Sequence, residues 1–537
     1  MKAETWRVSE IELKVENSYK NPMTDVDLKA EFKSPGGEEI TLYGFWDGGD
    51  SWKVRFAPTC AGKWTYTTYA SDGNKAFESA GEIDAALYSG NLDIYKHGFL
   101  RKGPQGRYLI YDDGTPFFWL GDTHWTFVTE ERLDESNCEK YASQFKACVD
   151  KRVEQRFTVY QSNFRDGKDF HMFGKYLEYL VDGEHGLVPN FELLHGNVDP
   201  KMAYIADAGL VNAIGYTWGS AILHCGAERY RLLAKYLVAR YGAYPIIWTL
   251  AGEIPGFFPA QRQPMIDAWR EIALLTEEYD GYNNLQSAHL ATDRPFPSMY
   301  QGETWHDLAM SQAGHGDFDM HYNMYSDYRE SYPDCPLIES EGLYEAATSN
   351  EISSRIITPA MFRRLAYLVI QCGGAGFTYG ANGVWELQWE AGVGGIGWGD
   401  MAWWDGLELP GAGQLTIYRD FYERVGWHKL RPINHLIERS RMAFHRQAEL
   451  LRQPLFTADD EMKTIVGYFS ESAMKAFTIK TLSYKSYRVE WFDPETGEYT
   501  LHDEDARPRE GRWTLQMSRM FWGEKKDKIL VMSGVKR

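Results

Sequence analysis

The chain has no run of about 18 or more apolar residues, the least that a bilayer-spanning helix needs. Cysteine is scarce too: the six (Cys60, Cys138, Cys148, Cys225, Cys335, Cys372) never fall into CxxC or another ligand spacing. They read as reduced, mostly buried small residues and not as zinc ligands or staples. HExxH, a Walker-type loop and GxGxxG after a strand are all missing, so metalloprotease, nucleotide and dinucleotide readings lack support. The glycine-rich GGAGFTYGANG has no phosphate-loop lysine. No metal and no cofactor is expected. Positive charge is in deficit, with 57 Lys and Arg against 76 Asp and Glu and a net charge of −19. Such a surface repels phosphate backbones and anionic lipid, so neither nucleic acid nor membrane is an expected partner. Nothing in the composition excludes a homo-oligomer. The start, MKAETWRVSEIELKVEN, places charges where a signal peptide has its apolar stretch, and a cytoplasmic location is expected.

What the chain does have is length and aromatic surface. At 537 residues it is too long for one core. Aromatics make up 15%, including 19 Trp and 34 Tyr. Such rings stack on the C–H faces of sugars, and they also fill β-sandwich cores. Residues 1–95 show short alternating segments (EIELKVEN, DVDLKAEFK, EITLYGFW, SWKVRFAPT, KWTYTTYAS) divided by PGG, DGG and AGK turns. That texture predicts a small β-sandwich. From 96 to 435, eight apolar runs alternate with helical stretches: PFFWLGDTHW, RFTVYQSNF, GLVNAIGYTWG, PIIWTLAGE, NLQSAHL, DFDMHYNMYS, PLIESEG and GAGFTYGANGVW. Eight is the number that closes a parallel (β/α)8 TIM barrel. Residues 436–537 return to a β pattern and predict a second sandwich. The expected fold is therefore multidomain, a (β/α)8 barrel between two β-sandwiches.

Two of the barrel runs end in glutamates. A carboxylate at the C-terminal end of a barrel strand points into the mouth, where this fold keeps its active site. Glu253 closes the fourth run, sharing a face with the small Ala251 and Thr249. The structural alternative is a carboxylate paired with a nearby arginine. In the seventh run Glu339, Glu341 and Glu345 lie close together. Glu341 is nearest the mouth and is the choice, with Glu339 better suited to an internal network. Glu345 could bind substrate or begin a helix. Two carboxyls facing one cavity are the minimum equipment for cleaving a glycosidic bond. As acid/base, Glu253 should have a pKa raised by burial and by its neighbour. As nucleophile, Glu341 should be held ionised by donors from Tyr322 or His289. The other strand ends add a polar and aromatic lining: Asp122, His124, Trp125, Gln161, Asn163, Tyr216, Trp218, His289, Tyr322, Asn323, Tyr379, Asn382 and Trp385. Each alone is a weak signal, and a single buried histidine more often packs than works. Together they suit a sugar.

Several segments resemble one known family, the apiosidase-like glycoside hydrolases, a barrel flanked by two β-sandwiches. GFWDGGDSWKVRFAPTCAGKWTYTT resembles its N-terminal immunoglobulin-like domain, and DDGTPFFWLGDTHW and YPIIWTLAGE its first and fourth barrel strands. CPLIESEGLYEA resembles the nucleophile strand and GAGFTYGANGVW the eighth. VEWFDPETGE resembles the C-terminal sandwich, which carries a collagen-binding label in some relatives. The resemblance implies acid/base chemistry at Glu253 and nucleophilic chemistry at Glu341. One departure stands out: the family usually ends the fourth strand in Gly-Gly-Asp, and here Ala251-Gly252-Glu253 takes that place. Many relatives also act outside the cytoplasm.

The resulting expectation is a retaining glycosidase that acts on a small glycoside or plant-derived oligosaccharide from its end. A non-catalytic carbohydrate-binding barrel is the runner-up, and an adhesion module comes last. An exo-acting enzyme needs a closed pocket. The loops 165–208 and 386–415, the latter with Trp389, Trp398, Trp403 and Trp404, could wall off one end. The same tryptophans could instead pack the barrel against a sandwich.

Overall fold

The computed structural model describes residues 1–16, 18–129, 131–168, 176–255, 259–291, 299–312, 325, 328–329, 331–348, 356–387, 401–439, 454–470, 476–516 and 526–535. Near the N-terminus, Lys2–Glu4, Leu28–Lys33, Glu39–Tyr43, Gly62–Ala70 and Ser79–Ala86 form one sheet. Ser9–Lys14, Phe45–Trp46 and Ser51–Phe56 form another. Alternation sets the faces: Leu28, Ala30 and Phe32 turn inward while Glu31 and Lys33 meet water. Phe32 stacks on Phe56 of the other sheet, with ring centroids 3.9 Å apart.

The centre of the molecule is a curled sheet of seven parallel strands, a half-barrel. Its spatial order is Ile246–Trp248, Val211–Gly215, Val159–Asn163, Trp119–His124, Gly376–Tyr379, Leu337–Glu339 and Ala309–Ser311. Strands buried on both faces read as near-continuous apolar runs, which is why such runs located most of them. The fifth run, NLQSAHL, forms no ladder. It spans the two edges by single parallel bridges, Gln286 to Trp248 and His289 to Met310. The sixth expected run is misplaced. The strand that pairs with Leu337–Glu339 is Ala309–Ser311, whereas DFDMHYNMYS lies outside the described residues except for Tyr325, which is helical. Three residues, Ala-Met-Ser, offer too short a pattern to read.

Helices cover the outside. In Ala227–Tyr241 the face formed by Tyr230, Leu233, Leu237 and Tyr241 is fully buried. Two loops proved more ordered than expected. Segment 165–208 holds the hairpin Leu180–Gly183 and Gly186–Pro189 and the helix Asp199–Asp207. Segment 386–415 contributes Trp403–Gly406 and the start of helix Pro410–Val425. Trp403 is buried, with its Nε1 donating to Asn137 Oδ1 at 2.9 Å, so it packs the core and does not line a mouth. Trp389 and Trp398 lie outside the described residues. All six cysteines are unpaired, and no described helix is long and apolar enough to cross a membrane.

Buried ion pairs tie the end segments to the central sheet. Under the helices, Arg240 donates to Asp47 Oδ1 at 2.7 Å and to Asp199 Oδ1 at 3.0 Å. Arg55 donates to the Arg240 carbonyl at 2.8 Å. At the other end, C-terminal strands form a six-stranded and a three-stranded sheet around Phe456, Phe469, Phe477 and Leu530. There Arg363 of helix Pro359–Gln371 grips Asp527 through Nε at 3.1 Å and Nη2 at 2.6 Å, and Tyr468 adds a hydroxyl at 3.0 Å. Removing one partner of a buried pair strands the other charge. Asp527→Ala should therefore lower unfolding free energy by about 3 kcal/mol, read from the midpoint of urea denaturation.

Candidate active site

The fourth strand stops at Trp248, short of its glutamate, because two residues beyond it leave the extended region. Leu250 has φ 52° and Glu253 φ 57°, left-handed conformations that side-chain-bearing residues seldom adopt. Between them Ala251–Gly252 pairs with Thr217–Trp218. The backbone is held there by Tyr216 N–H on the Leu250 carbonyl and Gly219 N–H on the Gly252 carbonyl, both at 2.6 Å. Gly252 has no room for a side chain, since a Cβ would sit 2.5 Å from the Trp218 ring. This turn delivers Glu253 to the open end of the sheet, half-buried. Gln312, just past Ala309–Ser311, donates Nε2–H to Glu253 Oε1 at 2.9 Å. Burial, and then the charge of Glu341, push the Glu253 carboxyl up to about 7 against the opposing pull of Gln312.

Glu341 follows the strand Leu337–Glu339 and is 2% exposed. Tyr344 donates its hydroxyl to Glu341 Oε1 at 2.7 Å, and Trp125 Nε1–H donates to the same Tyr344 oxygen at 2.7 Å. His289 stands between the two glutamates. Its Nδ1 accepts the Glu253 backbone N–H at 3.4 Å, and its Nε2 lies 3.3 Å from Glu341 Oε2. Burial lowers the His289 pKa, so the ring is neutral. With Nδ1 accepting, the ring proton sits on Nε2, on the side of Glu341, without forming a hydrogen bond to it. Aromatic faces surround this core: Trp125 meets His289 edge-on at 5.1 Å and Trp218 at 5.4 Å, and Trp385 lies 5.7 Å from Tyr344.

Glu253, Glu341, His289, Trp125, Trp218 and Trp385 are thus brought together. Other residues expected at the site have their side chains committed elsewhere. Asp122 and His124 are fully buried: Asp122 Oδ2 accepts Arg152 Nε–H at 2.5 Å and lies 2.9 Å from His124 Nε2. Burial would raise the Asp122 pKa, but Arg152 and His124 hold it below the usual carboxylate range. Gln161 donates to the Ser340 carbonyl, and Asn163 donates to the Thr217 carbonyl and accepts from Arg165 N–H. Tyr216 turns outward to Thr276 Oγ1 at 2.9 Å. Glu345 receives the Tyr379 hydroxyl at 2.6 Å and the Gly411 N–H at 2.9 Å, and Asn382 donates to the Ala346 carbonyl. Tyr322 and Asn323 lie outside the described residues. Tyr344 and Gln312 are the positions that sequence reasoning missed. Tyr344 stood three places after Glu341 in plain view, while Gln312 was hidden by the misplaced sixth strand.

A family model for the apiosidase-like catalytic domain matches residues 103–429. The chain belongs to the apiosidase-like family. It is a glycoside hydrolase. A second model, for a domain of unknown function termed DUF5060, matches residues 2–71 of this apiosidase-like enzyme. No curated protein matches it. Among solved structures it is similar to a candidate glycoside hydrolase from Bacteroides vulgatus, at 16% identity and TM-score 0.71, covering 99% of this chain and 100% of that one. A family 5 glycoside hydrolase from the same organism aligns at 20% identity and TM-score 0.65, over 82% and 94% of the two chains. At these identities the likeness is one of fold.

The raised pKa of Glu253 has a cost that needs no substrate to measure. An ordinary glutamate ionises at 4.5 and this one at about 7, so the folded state holds a proton that the unfolded state releases between those values. Stability is therefore lost as pH climbs through that window. Glu253→Gln should raise unfolding free energy by up to about 3 kcal/mol at pH 8 and leave it unchanged at pH 4. Equal effects at both pH values would show that Glu253 titrates normally.

Proposed function

We propose that this apiosidase-like enzyme is a retaining glycosidase, with Glu253 as acid/base and Glu341 as nucleophile, acting from the end of a small glycoside or plant-derived oligosaccharide. The supporting observation is that one buried cluster favours opposite protonation states in two carboxyls. Tyr344 donates its hydroxyl to Glu341, which stabilises its charge, while Glu253 is pushed toward its neutral form. One imidazole reaches from the Glu253 backbone to the Glu341 carboxylate, which favours the closer spacing of about 5–5.5 Å that a covalent pathway uses.

In the first step a Glu341 oxygen attacks the anomeric carbon while Glu253 gives its proton to the glycosidic oxygen, so the C–O bond breaks with a neutral leaving group. Glu253, now a carboxylate, takes a proton from water, whose oxygen attacks the same carbon and releases Glu341. The overall architecture in this reading is a (β/α)8 barrel over 96–435, with the segment 286–290 completing the ring, between sandwiches at 1–95 and 436–537. Aromatic faces from Trp125, Trp218 and Trp385 would stack on the sugar.

Glu341→Gln should abolish turnover with the fold intact. Glu253→Ala should keep activity on aryl glycosides with good leaving groups and gain rate from added azide. Wild-type kcat/KM should fall as pH rises through about 7, where Glu253 loses the proton it must donate. Proton NMR of the first-formed anomer reports retention directly. Inversion of that anomer, or full activity in both variants, would end the assignment.

A further inference from the structure

A groove of about 810 Å³ lies where the central sheet meets the C-terminal strands, and neither Glu253 nor Glu341 lines it. One wall is the turn 104–108. Its Gly106 packs against the Asp334 carbonyl just before strand Leu337–Glu339, at the start of that strand and not at its mouth end. A second wall is the end of helix Pro410–Val425 with the turn Trp427–Lys429. The third is the turn 459–464, which joins strands Leu455–Ala458 and Thr464–Phe469.

The charges that face this groove are unequally satisfied. Its carboxylates are all engaged within the protein. Asp459 accepts the backbone N–H of Lys463 at 2.7 Å and that of Thr464 at 3.1 Å, and Asp460 lies 2.7 Å from Arg431 Nε. Glu423 accepts from Arg156 at 2.9 Å and from Arg419 at 2.8 Å, and Glu461 accepts the Tyr484 hydroxyl at 3.3 Å. The cations are not matched in this way. Among the described residues, Arg107, Arg424, Lys429 and Lys463 make no ion pair, although acids outnumber bases in the chain by 76 to 57. Arg107 is half-buried, and its Nη2 is held by the Leu430 carbonyl at 2.7 Å, so the guanidinium fork is oriented before any ligand arrives. Burial, and then the charges of Arg431 and Arg329, lower its pKa to about 10, a crowding that a bound anion relieves. Beside it stands the half-buried Tyr108, its ring 5.7 Å from that of His428.

We propose that this groove is a second carbohydrate site, which binds a uronic-acid oligosaccharide with Arg107 on a carboxylate and Tyr108 against a sugar ring. It does not depend on which glutamate does what at the mouth. A planar guanidinium presents paired N–H donors that match a carboxylate, and Lys429 and Lys463 add positive charge along the same groove. A sugar ring covers the Tyr108 face, which a bare phosphate would leave unused. Strand starts are not where a barrel keeps its chemistry, so the groove holds an acidic glycan and does not cleave it. The overall negative charge of the chain is thus overridden locally, where unmatched cations collect.

The test is titration calorimetry of the full chain with three probes: a linear trisaccharide of a hexuronic acid, its methyl ester and inorganic phosphate. The acidic trisaccharide should bind about tenfold or more tighter than either of the others, and its affinity should fall as NaCl is raised. Arg107→Met should weaken that binding by about tenfold or more. Lys463→Met, on an exposed turn, should give a smaller loss and a flatter salt dependence with an unchanged Tm, so a folding defect in the arginine variant cannot decide the outcome. Equal affinity for acid and ester would show that charge plays no part, and phosphate binding as tightly as the trisaccharide would show a bare anion site; either overturns the proposal. So does the absence of binding, or an acid affinity that neither variant changes.

Discussion

Two carboxyl groups placed in one desolvated space cannot both ionise cheaply, since water no longer screens their repulsion. Glu253 and Glu341 share such a space, and most of the surrounding structure resolves the conflict in one direction. Tyr344, steadied by Trp125, favours charge on Glu341. Among the described residues Glu253 receives one side-chain hydrogen bond, from Gln312, and the field of its neighbour opposes its ionisation. The asymmetry comes from backbone placement: a left-handed turn lifts Glu253 to the mouth, while Glu341 stays sunk two residues past the strand Leu337–Glu339.

That placement explains how far the sequence could be read. The apolar runs of the central sheet were visible because strands buried on both faces leave uninterrupted hydrophobic stretches. The glutamates at their ends were visible for the same reason. The turn between Trp248 and Glu253 was not legible, because Leu250 and Glu253 adopt conformations that nothing in their side chains advertises. The lining was over-read. A polar residue at a strand end can face the mouth, the next strand or the helical layer, and alternation settles this only where the strand runs unbroken. Asp122 went to Arg152, Asn163 to the Thr217 carbonyl and Tyr216 to Thr276. Ala309–Ser311 was missed because three residues carry no period at all.

Two glycines make room for aromatic rings near the ends of the central strands. Trp218 lies on Gly252, the residue before Glu253, and Tyr176 lies on Gly167 of the loop that follows Val159–Asn163. Each ring occupies space that any side chain would claim, so the seat of Trp218 beside Glu253 is set by what a backbone position lacks.

The apolar core shared by the N-terminal sheets and the central strands has a consequence for how the molecule is made. That core joins Phe32, Trp52 and Phe56 to Val211, Ile247, Met310 and Ile338. A ribosome releases the first group long before the last, since domains emerge N-terminal end first. During synthesis the early sheets therefore present a bare apolar face to the cell until each central strand arrives to cover part of it. The interval of greatest exposure to chaperones and to misassembly is set by translation speed across the middle of the message, far from any residue that touches sugar.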